Sequence, residues 1–472
     1  MTTEIAGLPF WELTFDADGH PDRAKLDTFL DEIPARGLTD LVVFSHGWNS
    51  DRAVSTRLYD RFFGVLAGQL DQVPAGRPVS VGLAGVFWPA RRWSDEPIPD
   101  FAPPAALAVG GGGGAASVEP AAGAPPAETI AAAQPSVDAA TLDGLRETFP
   151  AGAAALGRMA ELLESEPTAA ALEEFVERMR EFSAAVASGT DDGEDDREGR
   201  DDGTAPPAML ADEPEVLFER FVTALRTSGV PVEEPAGAGG EAGLTDRLRS
   251  AWKGAKEALR QLTYWQMKNR AGVVGRVGLG PALGQLHQAA GDVRIHLVGH
   301  SFGARLVSYA LAGLPAGLEP SPVRSVTLLQ GAFSHFAFAD PLPLNSDRKG
   351  ALAGMLRRVN GPLTVCFSEH DDAVGRFYPL ASMAARDDSA AAQGALFRWG
   401  GMGFDGAQGV NAKLDSVQPA GPGAVYRFET GKALNVDAAE VVRRGGAPSG
   451  AHSDIVHPEL TWIILSGGGI VS

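Results

Sequence analysis

The chain has 472 residues, with 58 glycines, 33 prolines and a formal net charge of −20. That length suits one large core or two modest ones, and a Gly and Pro share above the usual one points to linker or low-complexity segments. So acidic a balance repels phosphate backbones and anionic membranes, which disfavours nucleic-acid binding, and the single cysteine, Cys366, excludes an intrachain disulfide and any CxxC zinc site.

The N-terminus, Met1–Ile5, has no basic region leading into an apolar stretch, which argues against a secretory signal. No run of strongly apolar residues is long enough to span a bilayer; Ala105–Ala116 is interrupted by five glycines, Gly110–Gly114. A soluble, cytoplasmic protein without stable membrane insertion is expected, with its oligomeric state open.

Leu41–Phe44 is a short apolar run suited to a strand covered on both faces, and Val79–Phe87 is a second. Between them Arg52–Leu70 has helical spacing through Leu58, Phe62, Val65 and Leu66. Composition shifts after Trp93. Residues 94–140 are rich in Pro, Ala and Gly, and Asp191–Asp202 is acidic, so both read as mobile connections. Between and after them lie helical stripes, Leu172, Phe175, Val176, Met179, Phe182 and Val186, then Leu217, Phe218, Phe221 and Leu225. Residues 94–244 are thus expected to be a partly disordered helical insertion, a possible cap, in a core built from 1–93 and 245–472. A core whose strands supply their own apolar runs is expected to fold without it, because loop-closure entropy grows slowly with length. No internal repeat is found.

A long helical pattern follows from Leu248 to Lys268, with Trp252, Leu259, Leu262 and Trp265. Apolar runs then recur at Val293–Val298, Ser325–Leu329, Leu363–Phe367 and Ala424–Phe428, with helical stretches such as Ala304–Ala312 between several of them. Short buried strands alternating with helices imply an α/β fold with a mainly parallel sheet. Cys366 falls in one of these runs and reads as a buried small hydrophobe.

Gly299-His300-Ser301-Phe302-Gly303 directly follows an apolar strand run and opens a helix whose buried face would be Leu306, Val307, Ala310 and Leu311. A serine at so tight a strand-to-helix turn is forced into strained backbone angles, and its neighbours two residues away must lack bulk. The turn lifts Oγ clear of the sheet. A serine nucleophile needs a base, and in this arrangement the partners follow it, acid first and histidine last. His296 lies within the strand and His300 within the turn, which leaves His335, His370, His452 and His457. His452, on the polar loop Gly450–Asp454, is favoured over His457, which precedes the helix-starting Pro458. For the acid, the loop after Leu363–Phe367 offers Glu369, Asp371 and Asp372, with Asp340 an outside candidate. An oxyanion hole would use the Phe302 amide and, from the loop Ser45–Asn49, the Trp48 amide, with Gly47 allowing close approach. His46 could be a metal ligand or a base, but fixing that loop by hydrogen bonds suits it better.

Ser45-His46-Gly47-Trp48, Gly299–Gly303, Ser368–Val374 and His452-Ser453-Asp454 together resemble the α/β-hydrolase superfamily. The third resembles its acid loop, Gly-x-x-Asp-x-x-Val, with Ser368 in place of the glycine, and that alignment puts the acid at Asp371. The resemblance covers roughly residues 10–93 and 245–465. It implies an eight-stranded, mostly parallel sheet, a Ser301–Asp371–His452 triad and activity on esters, thioesters, amides or similar bonds; a small-molecule ester or related acyl substrate is expected, with no cofactor or metal. The other class of reading is a catalytically silent hydrolase fold serving as a binding or scaffold protein, with the insertion as its partner surface.

Overall fold

The computed structural model describes residues 3–70, 78–90, 93, 101, 136–186, 210, 213–227, 241–343, 345–377, 400–410, 416–446 and 449–471. Gly110–Gly114 and Asp191–Asp202 lie outside these residues, as do the side chains of Leu225 and Leu248.

The strands are β1 (Thr3–Ile5), β2 (Leu8–Thr14), β3 (Asp40–Ser45), β4 (Val81–Phe87), β5 (Arg294–His300), β6 (Val323–Leu329), β7 (Leu363–Phe367), β8 (Ser416–Val417) and β9 (Ala433–Asp437). They form one sheet in the order β1-β2-β4-β3-β5-β6-β7-β9-β8. Only the β1–β2 pair is antiparallel; every other pairing among the described strands is parallel. Eight of these strands have three residues or more, and β8 adds a two-residue edge.

The parallel strands are buried on both faces, which is why they read as continuous apolar runs. Successive side chains still alternate. Leu41 and Val43 of β3 join an apolar cluster with Ile295 and Leu297 of β5, whereas Val42 and Phe44 join a second cluster with Val298 and Cys366. Helices α1 (Arg23–Ala35), α7 (Glu241–Val273), α8 (Gly280–Ala289) and α9 (Phe302–Gly313) supply the first cluster; α2 (Arg52–Leu70) and α10 (Pro458–Gly467) supply the second. A π-helical turn, Val274–Leu279, separates α7 from α8.

The expected strand at Ala424–Phe428 is a correction. That segment makes no ladder; Val425 is 95% exposed, and the backbone carbonyl of Ala424 accepts from the Trp462 indole at 2.8 Å. The strand beside β7 is β9 instead, whose Asn435 side chain exchanges hydrogen bonds with the Ala407 backbone. Local apolar content favoured the wrong segment because neighbours on the sheet, not the run itself, decide which residues pair.

Within residues 94–244 lie α3 (Ala139–Thr148), α4 (Ala153–Leu163), α5 (Ala169–Val186) and α6 (Pro214–Thr227). Their apolar faces share one cluster with α7, α8 and α9. Phe175 packs edge-on against Trp252 at 5.8 Å, and α6 lies so close to α7 that a Cβ on Gly254 would run into the Phe218 backbone. Arg270 ties both parts together, donating to the carbonyls of Pro89 and Thr148. Joining Trp93 to Thr245 would therefore bare an apolar face of α7 that includes Trp252 and Leu259. Among the described residues no helix is long and apolar enough to cross a membrane.

Candidate active site

All parallel strands end on one edge, and the loops leaving β3, β5, β7 and β9 meet there. This is where open α/β sheets gather ligands, because each strand-to-helix turn presents backbone groups and side chains to the same crevice. Ser301 occupies the turn between β5 and α9 with φ 57° and ψ −123°, a conformation that strains any residue bearing a side chain. Its N–H donates to Leu329 O, and its carbonyl accepts from Ala304 and Ala332. Close packing explains the glycines. A Cβ on Gly303 would strike the carbonyl oxygens of Ser45 and His46, and one on Gly47 would sit 2.5 Å from the Ser301 Cβ. The β3 loop thus passes directly against the serine.

His452 Nε2 lies 2.8 Å from Ser301 Oγ, and its Nδ1 lies 2.8 Å from Asp371 Oδ2. An ionised carboxylate only accepts, so Nδ1 carries the proton and Nε2 faces the hydroxyl as acceptor. Asp371 is wholly buried. Burial pushes its carboxyl up, while His452 and the Val374 N–H, 3.0 Å away, pull it down by bonding to the anion. Ser368, in the position where the resembled loop carries glycine, braces this turn: its hydroxyl donates to Val442 O at 2.7 Å and accepts from the His370 N–H at 3.1 Å.

The loop that carries His452 is clamped by Asp454. Its Oδ2 accepts the backbone N–H groups of Arg443 and Arg444, and its Oδ1 meets the Arg444 guanidinium and His457 Nε2, each at 2.8 Å. Burial works to raise this carboxyl, but the bonds from His457 and Arg444 outweigh it and leave it at about 2.

His46 holds the β3 loop from inside. Its N–H donates to the Tyr59 hydroxyl, its carbonyl accepts from the Trp88 indole, its ring stacks on Trp88 at 5.6 Å, and Nδ1 contacts Gly47 O at 2.8 Å. Burial lowers its pKa to about 4, so it is neutral near pH 7. Asn49, at φ 61°, accepts from the Trp93 N–H. Phe302 is the first residue of α9, so its N–H has no intrahelical acceptor and points out of the helix beside Ser301. The side chains of Trp48 and Phe302 converge on Tyr264 of α7, at 5.1 and 4.6 Å between ring centroids.

The structure therefore brings together Ser301, His452 and Asp371, with Gly47, Trp48 and Phe302 around them. The other candidates lie elsewhere. His457 pairs with Asp454, His335 with Asp405, and Asp340 with Lys349. Tyr264 and the His300–His452 contact had no local sequence signal, since each partner is distant along the chain; the clamp by Asp454, whose partners lie within 11 residues, was not foreseen either. Among the described residues, the histidine and carboxylate grouping spaced to hold a metal ion is Asp16, Asp18 and His20; it is exposed and outside this cluster. Cys366 is buried, and burial pushes its thiol up to about 12, which keeps it unreactive.

No family model, curated protein or solved structure matches the chain.

Proposed function

We propose that the protein is a serine hydrolase of the α/β-hydrolase type acting on carboxylic esters. The observation that carries this reading is the unbroken Ser301–His452–Asp371 hydrogen-bond chain, with its serine on a strained strand-to-helix turn. Ser301 Oγ attacks the acyl carbon while its proton passes to His452 Nε2. Asp371 stabilises the imidazolium so formed and holds its orientation. Negative charge collects on the former carbonyl oxygen, where the amides of Phe302 and Trp48 receive it. As the tetrahedral adduct collapses, the C–O bond to the leaving group breaks and His452 returns the proton to that oxygen. Water then attacks the acyl-enzyme, giving its proton to His452; the bond from the acyl carbon to Ser301 Oγ breaks, His452 returns the proton to Oγ, and the acid is released. An ester asks less of such a site than an amide does, because an alkoxide is a better leaving group than an amine anion and its departure needs less help from the His452 proton. The strand-to-helix placement of Ser301, the order serine, acid, histidine along the chain and the parallel sheet all support the α/β-hydrolase assignment.

Fluorophosphonate, which reacts only with an activated serine, tests this without knowledge of the substrate. The wild type is expected to be labelled and Ser301→Ala not. Labelling that survives Ser301→Ala, or a wild type that takes no label, overturns the assignment.

A further inference from the structure

We infer that His300 is a positioning residue for the base: it holds the main chain of His452, and through it the imidazole, in line between Ser301 and Asp371. This rests on the reading of Ser301 as nucleophile. His300 ends β5, immediately before Ser301, and is 5% exposed. Its Nε2 lies 2.8 Å from the carbonyl oxygen of His452. A carbonyl oxygen can only accept, so the proton of His300 is on Nε2. The two rings stand 4.9 Å apart, inclined at 41°.

The bond matters because of what else holds His452. Its own N–H reaches Ser449 O only at 3.4 Å, a weak contact, whereas the preceding Ala451 N–H donates to His370 O at 2.8 Å. The Asp371 bond aims the ring but does not set where the main chain sits. His300 fixes that from the strand that carries the nucleophile, so nucleophile and base are referenced to one rigid element. A displacement of about 1 Å at such a position can cost on the order of 10²-fold in rate.

Two titratable groups face the His300 ring, His452 from the loop after β9 and His46 from the loop after β3; Asp371, after β7, reaches it only through His452. Burial, then the positive charge His452 acquires, hold His300 down at about 3. It therefore stays neutral while His452 takes up and returns the proton, and the bond to the His452 carbonyl persists through the cycle. A histidine kept only for packing would not need its proton on a particular nitrogen.

Three full-length variants separate the roles. His300→Gln can place an amide N–H near the Nε2 position. His300→Asn places one nearer to Nδ1. His300→Phe fills the volume with no donor. Fluorophosphonate inactivation is followed across pH, with the melting temperature of each variant as control. Phe and Asn are expected to lose on the order of 10²-fold in inactivation rate, and Gln to recover most of that loss. The acidic limb of the rate profile should move to lower pH in Phe and Asn, because a looser Asp371 contact stabilises the imidazolium less. Equal rates for Phe, Asn and Gln, or losses that follow the melting temperature with an unmoved acidic limb, overturn the inference. The imidazole nitrogen spectrum of the wild type gives a second measurement that needs no variant to fold. A His300 proton on Nε2 is expected, and one on Nδ1 overturns the inference. A wild type without label but with that Nε2 proton would sink the hydrolase reading alone.

Discussion

The sheet holds two hydrogen-bonded Ser–His–Asp sets, one at each end. At the C-terminal edge, Ser301, His452 and Asp371 are linked by two contacts of 2.8 Å. Toward the N-terminal ends of the same strands, His296 of β5 reaches Asp40 of β3 at 2.8 Å through Nε2 and Ser325 of β6 at 2.9 Å through Nδ1. The residue types and bond lengths hardly differ, yet the surroundings do. Ser325 lies inside β6, next to a one-residue register shift against β5, whereas Ser301 sits on a turn at positive φ. Asp40 also takes the Arg294 guanidinium at 2.5 Å and the Thr39 hydroxyl at 2.7 Å, so its charge is spent on holding strands together. His296 is fully buried, while the His452 side chain keeps 14% of its surface. A hydrogen-bonded triad is therefore an architectural unit. It becomes chemistry only where the serine is lifted off the sheet, the histidine can meet a substrate and free N–H groups adjoin the oxygen.

The sharpest way to break this contrast is at the serines. Ser301→Ala is expected to abolish fluorophosphonate labelling and to lower ester turnover by on the order of 10⁶-fold. Ser325→Ala should leave both intact and cost about 1 kcal/mol of stability, read from denaturant melts. Loss of labelling in Ser325→Ala would erase the distinction.

The acids should divide in the same way. Asp371→Asn is expected to lower turnover by on the order of 10³ to 10⁴-fold with little change in melting, since the wrong imidazole tautomer is then favoured. Asp40→Asn should keep the chemistry and lose about 3 kcal/mol, because it leaves Arg294 beside a neutral partner. Comparable stability losses in both would mean that the two sets do the same work.

Acid should unpick the C-terminal edge. His46 and His300 are held neutral, at about 4 and about 3, against an ordinary value of about 6.5 in the unfolded chain. Below about pH 6.5 the unfolded chain binds the extra protons, so this stability is full above that pH and drains as pH falls toward 4. Asp454, depressed to about 2, adds a further loss between about pH 4 and 2. The melting midpoint should drop steeply from pH 6.5 to 4, and less steeply in His300→Gln. A flat midpoint over that range would contradict the burial of neutral histidines.

The smallest effect is expected at Gln330, which follows β6 at φ 44° with its carboxamide buried and without a hydrogen-bond partner among the described residues. An unmatched buried amide is costly, so Gln330→Met should leave the melting temperature unchanged or raise it by the equivalent of about 1 kcal/mol. A clear fall would show that the amide has a partner, such as a buried water.

Much of this was legible in the chain, for a physical reason. A parallel strand buried on both faces must be apolar throughout, so β3, β4, β5, β6 and β7 announce themselves locally, and α2 and α9 follow from helical spacing. The glycines around Ser301 were equally readable, because no side chain fits where the β3 loop crosses the turn. His452 could be favoured from its place on a polar loop late in the chain, but loop position left Glu369, Asp371 and Asp372 open, and only the resemblance of Ser368–Val374 to an acid loop singled out Asp371. Tertiary packing decided the rest. It chose Ala433–Asp437 over the more apolar Ala424–Phe428 as a strand, laid the helices of the insertion on α7, and placed Tyr264 beside Trp48 and Phe302. It also decided which of two Ser–His–Asp sets has an exposed edge, and joined His300 to a carbonyl 152 residues away. Such contacts leave no period or local motif, because each depends on where two loops distant in sequence end up.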